Sequence, residues 1–288
     1  MALYFGTAGT PISSSGSDSL SGIKRVHELG LGCMELEFVR GVKMKEETAR
    51  NVNILAKDLD IKLSVHAPYY INLNGEGETR LKSRERILNS ARIGNICGAR
   101  SVVVHAGYIQ KDNREAAYEK IKKELFQIRE QMNIEGLGIT LRIETMGRIS
   151  QFGTFDEVLA ITEVEGVFPC IDFSHLHAIA GKNNSLEEFV QILGSIENKL
   201  GREGLNDMHI HVSGIEYSPK GEKNHLELEK SDFNFRELIQ AFSDFEIQGM
   251  VICESPNLEV DALKLKKEYE KNNELMRTET NSASVSSY

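Results

Sequence analysis

The sequence predicts an α/β protein folded as a single (β/α)8 TIM barrel, and three observations carry that expectation. Short apolar or β-branched runs alternate with longer charged stretches of helical spacing, eight of each. Shared among eight units, 288 residues leave about 36 per β/α pair, the size of one barrel unit. No glycine-rich GxGxxG or GxxxxGKS/T loop follows an early strand, as an open nucleotide-binding sheet would bring.

The units follow in order. Leu3–Gly6 is a short apolar run with a helical stretch at 18–30 behind it, and Cys33–Val39 is followed by one at 45–58. Lys62–Pro68 precedes 79–97, and the β-branched Ser101–Ala106 precedes 113–132. Gly138–Glu144 leads to 155–163, and Val167–Phe173 to 185–200. Met208–Ser213 and Met250–Glu254 complete the set, with helices at 232–243 and 258–274. Strands separated by helices need parallel crossovers, so the sheet should be parallel and covered on both faces. Two segments break the rhythm. Gly214–Ser231 is a long polar loop after the seventh strand, on the face where barrels carry function. One domain is therefore expected over 1–275, with a disordered tail at 276–288 that has almost no apolar residues.

Composition narrows the class. Hydrophobic residues at 40% and charged residues at 27% are ordinary for a globular chain. No apolar run reaches the ~18 residues of a membrane span, and no signal-peptide pattern opens the sequence, so a soluble, cytoplasmic protein is expected; a monomer is the expected state. Cys33, Cys97, Cys170 and Cys253 form no CxxC and read as reduced core thiols. The net charge of −9 argues against a strongly basic nucleic-acid binder. Two or three divalent ions held by carboxylates would offset about 4 to 6 of those charges.

The chemistry gathers at the strand ends. His66, His105, His175 and His211 lie at or just past the C-terminal ends of the third, fourth, sixth and seventh strands, and His225 lies in the long loop. Glu144, Asp172 and Glu254 end the fifth, sixth and eighth strands. Period-two alternation turns Arg142 and Glu144, Ser64 and His66, Cys170 and Asp172, His209 and His211, and Ile252 and Glu254 inward. Buried carboxylates need counter-charge. Arg142 can pair with one of them, but not with three carboxylates and four imidazoles, so metal is the simplest answer. Imidazole and carboxylate without thiolate suit Zn, Mn or Fe better than Mg or Ca. The donors outnumber what one ion holds, which implies a cluster of two or three ions sharing a bridging carboxylate, and phosphoryl chemistry is the next step. His209 and His177 read as outer hydrogen-bond partners or structural residues, and His27 as an exposed helix residue.

These residues resemble endonuclease IV, the zinc-dependent apurinic/apyrimidinic endonuclease family of the xylose-isomerase-like barrels, over roughly residues 1–275. The resemblance is carried by HAPY (His66–Tyr69), VVHAG (Val103–Gly107), IET (Ile143–Thr145), CIDFSHLHAIAG (Cys170–Gly181) and ES (Glu254–Ser255). It implies His66 and His105 on a first zinc, Glu144 bridging to a second completed by Asp172, His211 and Glu254, and His175 and His225 on a third. It also implies DNA contacts from Tyr69, with Arg40 after the second strand as a candidate probe of the duplex. The activity implied is hydrolysis, by a zinc-bound hydroxide, of the phosphodiester 5′ to an abasic site in double-stranded DNA, leaving a 3′-hydroxyl and a 5′-deoxyribose phosphate. Glu144 and Glu254 are the candidate catalytic carboxylates.

Two departures stand out. The family's HxND after the seventh strand is HVSG here, His211–Gly214, and its Asp-x-His triplet falls on Lys223, Asn224 and His225. A protonated lysine is no zinc ligand, so either Glu222 or a water takes that place. The alternative function is a single-metal sugar isomerase or epimerase using Glu144, Asp172, His211 and Glu254, which leaves the other histidines idle.

Overall fold

A computed structural model describes residues 2–179 and 181–285. Eight parallel strands close into a barrel: β1 (Leu3–Ala8), β2 (Cys33–Glu37), β3 (Lys62–His66), β4 (Ser101–Val104), β5 (Thr140–Glu144), β6 (Val167–Asp172), β7 (Met208–Val212) and, later in the chain, β10 (Gly249–Cys253). They pair in sequence order, and β1 closes on β10. Every strand expected from the sequence is present.

The helices outside the barrel are α1 (Ser19–Glu28), α2 (Glu46–Asp58), α3 (Gly77–Ile96), α4 (Arg114–Ile134), α5 (Phe155–Ala160), α7 (Leu186–Asn206), α8 (Phe235–Asp244) and α9 (Glu259–Val285). Short polar residues start several of them, as orphan N–H groups require. Asp18 accepts from Leu20 and Ser21 N–H, while Thr154 with Glu157 and Ser185 with Glu188 form reciprocal capping boxes. In α7 the helix breaks at Gly201, where φ is 70°. No helix among the described residues is long and apolar enough to cross a membrane.

Three differences from the sequence reading have local causes. A short helix, α6 (Phe173–Ala178), follows β6 directly, because the Asp172 carboxylate caps it by accepting the His175 N–H at 2.8 Å. The polar segment after β7 is an antiparallel hairpin, β8 (Gly214–Ser218) and β9 (Gly221–Leu226). The HVSG departure belongs to this hairpin: a Cβ on Gly214 would lie 2.4 Å from the Glu227 carbonyl oxygen, so only glycine fits where the two strands meet. Third, α9 runs through the boundary expected at 275. Residues 276–285 continue it, since nothing there is proline or glycine to end a helix, and 286–288 lie outside the described residues.

The apolar core lies between strands and helices, and Val102, Val104, Leu141 and Ile143 of the strands share it with Ile121, Leu125 and Ile128 of α4. The barrel interior is different. It holds a small apolar group, Cys33, Met250 and Ile252, together with buried polar and charged side chains such as Glu35, Ser64, His209 and His211. All four cysteines are free and buried.

Candidate metal centre

Parallel register brings the strand ends level, so side chains from six strands meet at the C-terminal mouth. Asp172 pairs with His211, and Glu144 with Cys170, across adjacent strands. Glu144 is fully buried at the centre and divides its two oxygens between neighbours. Its Oε2 lies 3.2 Å from His66 Nε2 and 3.0 Å from His105 Nε2. His66 Nδ1 donates to the Ala67 carbonyl at 2.8 Å, which fixes the tautomer and leaves the Nε2 lone pair facing the site.

On the other side, Glu144, Asp172, His211 and Glu254 bring ligand atoms within 4.8 Å of one another. His211 Nδ1 lies 3.5 Å from Glu144 Oε1 and 3.4 Å from Glu254 Oε1. The sequence-expected residues of a third position also converge. His175 Nδ1 donates to the Thr145 carbonyl at 3.0 Å and His225 Nδ1 to the Glu254 carbonyl at 3.2 Å. Both rings thereby present Nε2 to Glu222, at 3.6 Å and 4.0 Å respectively.

The hairpin register explains why the carboxylate here is Glu222. Tyr217 pairs with Glu222 while Glu216 pairs with Asn224, so Lys223 is an extra residue in β9. Residues three apart on a regular strand face opposite ways; one bulged residue restores them to the same side. Glu222 and His225 therefore share a face. Lys223 and Asn224 both turn outward onto Glu216, with Nζ at 3.2 Å from Oε1 and Nδ2 at 3.3 Å from Oε2. The Glu222 N–H donates to the Gly147 carbonyl at 2.7 Å, which pins the hairpin to the loop after β5. A Cβ on Gly147 would stand 2.8 Å from Glu222 Cβ and 3.0 Å from the His175 ring, so the glycine leaves room for that convergence.

Electrostatics mark the centre as incomplete without cations. Burial pushes the Asp172 carboxyl up to about 6 despite His175, with Glu254 and Glu144 adding to the rise. Burial opposes ionisation of Glu144 too, but the imidazoles of His105 and His211 outweigh it and hold that carboxyl well below its usual range. Among the described residues, Glu144 Oε1, Asp172 Oδ2 and His211 Nδ1 are buried with no hydrogen-bond partner, although they belong to one cluster. Orphaned acceptors gathered around one point are what a divalent cation satisfies. Imidazole with carboxylate is the donor set of zinc, manganese or iron.

The sequence reading assigned Arg142 a carboxylate among these, and that pairing is corrected. Arg142 Nη2 lies 2.6 Å from Asp207 Oδ2 and donates to the Asp207 carbonyl, with Nη1 on the Pro169 carbonyl. It faces inward as expected but sits two residues below Glu144, near the opposite end of the barrel. Tyr69 is half exposed at the mouth, its ring 5.2 Å from that of His66 and 5.5 Å from that of His105. Arg40 is exposed on the turn after β2 and does not line the cavity over the metal residues.

Besides Glu222, which the sequence left open, two acidic residues were missed by the sequence reading. Glu35 is fully buried in the lumen, where Ser64 Oγ donates to it at 2.7 Å and the Nε2 atoms of His209 and His211 each lie 3.0 Å from one of its oxygens. Neither of these imidazole contacts is aligned as a hydrogen bond. Burial would raise Glu35, yet His211 and His209 hold it well below the usual carboxylate range. Glu37, level with His66, is pushed up to about 8 by burial, against the pull of His66 and with the help of Glu35 and Glu254. The signal for both was acidic residues at alternate positions in an otherwise apolar strand. His209 supports His211 through Glu35, and its Nδ1 meets Ser101 Oγ at 3.0 Å. His177 contacts Asp232 at 3.2 Å, away from the metal residues.

The chain is similar to known proteins in sequence and in fold. An uncharacterized protein of Methanocaldococcus jannaschii is 45% identical over 93% of this chain and 97% of its own length. A probable endonuclease 4 of Mycobacterium leprae is 27% identical over 73% of this chain and 79% of the relative. Among solved structures, endonuclease IV from Thermus thermophilus superposes with a TM-score of 0.71 at 18% identity, covering 92% of this chain and 99% of that one. A D-tagatose 3-epimerase-like protein gives 0.72 at 20% identity, covering 97% and 100%. At those identities both likenesses speak for the fold alone. Residues 23–279 match the xylose isomerase-like TIM barrel family, and the chain belongs to it.

Proposed function

We propose that this protein is a phosphodiester hydrolase of multinuclear metal type that nicks double-stranded DNA on the 5′ side of abasic sites. The observation that carries the reading is Glu144, whose oxygens face two separate clusters: His66 and His105 on one side, Asp172, His211 and Glu254 on the other. A single-metal sugar epimerase uses the second cluster and has no need of the first. The relatives bearing an endonuclease 4 name support the same choice.

Bound zinc or a similar ion supplies a nucleophile from water and neutralises charge on the phosphate and the departing oxygen. The chain does the remainder. Glu144 and Glu254 hold the centre's acidic frame in place, and the backbone carbonyls on His66, His175 and His225 fix each tautomer in advance of binding. Glu222 takes the place of the family's aspartate at a third position with His175 and His225, so Lys223 is compatible with three ions. Tyr69 at the cavity mouth and Arg40 on the exposed turn after β2 are the candidate DNA contacts. An abasic nucleotide suits such a cavity because no base pair has to be broken to extrude it.

The test is a duplex with one abasic-site analogue, incubated with the purified protein before and after chelation. The expected result is a chelator-sensitive nick 5′ to the lesion with a 3′-hydroxyl end. Intact duplex in the presence of bound metal refutes the reading, and conversion of a ketose by the same preparation replaces it with the epimerase.

A further inference from the structure

The metal residues floor a cavity of about 340 Å³ whose rim includes Tyr69, Tyr108, Met146, Arg148 and Gln151. Arg148 is the one lysine or arginine among its lining residues. The guanidinium is half exposed, and its ion-pair partner is Glu222, with Nε 3.7 Å from Oε2. Among the described residues that one long contact leaves most of its N–H donors open to a ligand.

The backbone beneath Arg148 is held on both sides. It bridges Gly221 of the hairpin, and its carbonyl accepts the Gln151 N–H at 3.0 Å. A Cβ on Gly221 would come 2.1 Å from the Gly147 oxygen and 3.1 Å from Arg148 Cα, and Gly221 has φ of 99°. Only glycine permits this approach, so loop and hairpin lock together and aim the guanidinium from a fixed base.

Charge then selects the ligand. Glu144, Glu222 and Glu254 line the same cavity, so without cations it repels anions. With the carboxylates neutralised by divalent ions, Arg148 becomes a net positive fork facing the metal centre. A neutral sugar gains little from it, whereas two oxygens of a phosphate match a guanidinium edge.

We propose that Arg148 is the phosphate-binding residue of this cavity, seating the substrate's phosphate against the metal centre and selecting phosphate esters over neutral sugars. The substrate class rests on the hydrolase reading, but phosphate binding is tested apart from DNA cleavage. Metal-reconstituted wild type, Arg148→Ala and Arg148→Gln are titrated with inorganic phosphate by calorimetry, with D-fructose as the neutral control and metal content measured throughout. Expected are phosphate binding by the wild type that chelation abolishes, a loss of about 10- to 100-fold in both variants at unchanged metal content, and no dependence of fructose binding on Arg148. Arg148→Gln is shorter but keeps part of the stem and an N–H donor without the charge, so it decides the matter if Arg148→Ala loses metal. Unchanged phosphate affinity in the variants, or none in the metal-loaded wild type, overturns the proposal. Arg148-dependent phosphate binding with abasic DNA left intact sustains it and sinks the abasic-site reading; nicking that is equal in wild type and variants, with equal phosphate affinity, does the reverse.

Discussion

Replacing Glu144 by glutamine tests the bridging geometry directly. The change is nearly isosteric, so the fold should survive, but it removes one charge from a fully buried carboxylate and turns one oxygen into an NH2 group. Whichever end becomes the amide nitrogen, it faces an imidazole: His66 and His105 on one side, His175 and His211 on the other, all within 3.5 Å of Glu144. An amide nitrogen does not ligate, so one cluster loses its shared ligand outright and the other keeps a neutral oxygen in place of an anion. Changes to groups that merely support a ligand cost about 10- to 100-fold in metal affinity, and loss of the ligand itself should exceed that at one site. His66, raised to about 10 chiefly against its burial by the Glu144 contact, should fall back toward its ordinary value in the metal-free variant. Elemental analysis after dialysis against a weak chelator reads the first effect, and histidine NMR titration the second. Retention of every wild-type ion together with an unshifted His66 would refute the bridge.

Other outcomes follow from the same geometry. Glu222→Gln should reduce bound metal by one ion per chain while Lys223→Ala leaves the content unchanged, because the lysine faces outward; equal effects would place the bulge wrongly. Glu35→Gln should weaken metal binding by about 10- to 100-fold with little loss of helical signal, since the amide can no longer serve both imidazoles as an anion; unchanged affinity would show Glu35 to be only structural. Asp172 and Glu37 are raised on folding, to about 6 and about 8, so the metal-free native state binds more protons than the unfolded chain between about pH 4 and 8. Their contribution is present below pH 4 and lost as the pH climbs through that window. Metal-free protein should therefore lose stability on the order of 3 kcal/mol or more from these groups between pH 4 and 8, and metal should restore it. Glu37→Gln should flatten the upper part of the profile, and a wild-type slope there would disprove the assignment.

The barrel was legible because its signal is local: eight apolar runs of strand length, each followed by a helix, leave few other arrangements. The metal residues were legible for a related reason. Histidines and carboxylates that end strands must gather at one mouth once the barrel closes. What escaped depended on depth and register. Alternation said that Arg142 faces inward, but not that it lies about 7 Å below Glu144 along the strand, too far to reach it and close to Asp207. Glu35 escaped because its imidazole partners come from β7, across the lumen, and no sequence spacing joins them. The choice between Glu222 and a water could not be made from the sequence, since it turned on one unpaired residue in a hairpin.

That unpaired residue also bears on how such centres arise. Deleting Lys223 alone would leave Glu222 and His225 two apart and still on one face, but inserting one further, unbulged residue between them would swing Glu222 away from His225, while the barrel-borne residues stay where they are. A single codon thus separates a centre with three carboxylate-supported positions from one with two. Descendants of one ancestral barrel can gain or shed an ion by insertion or deletion in a surface ribbon, with no substitution in any barrel strand.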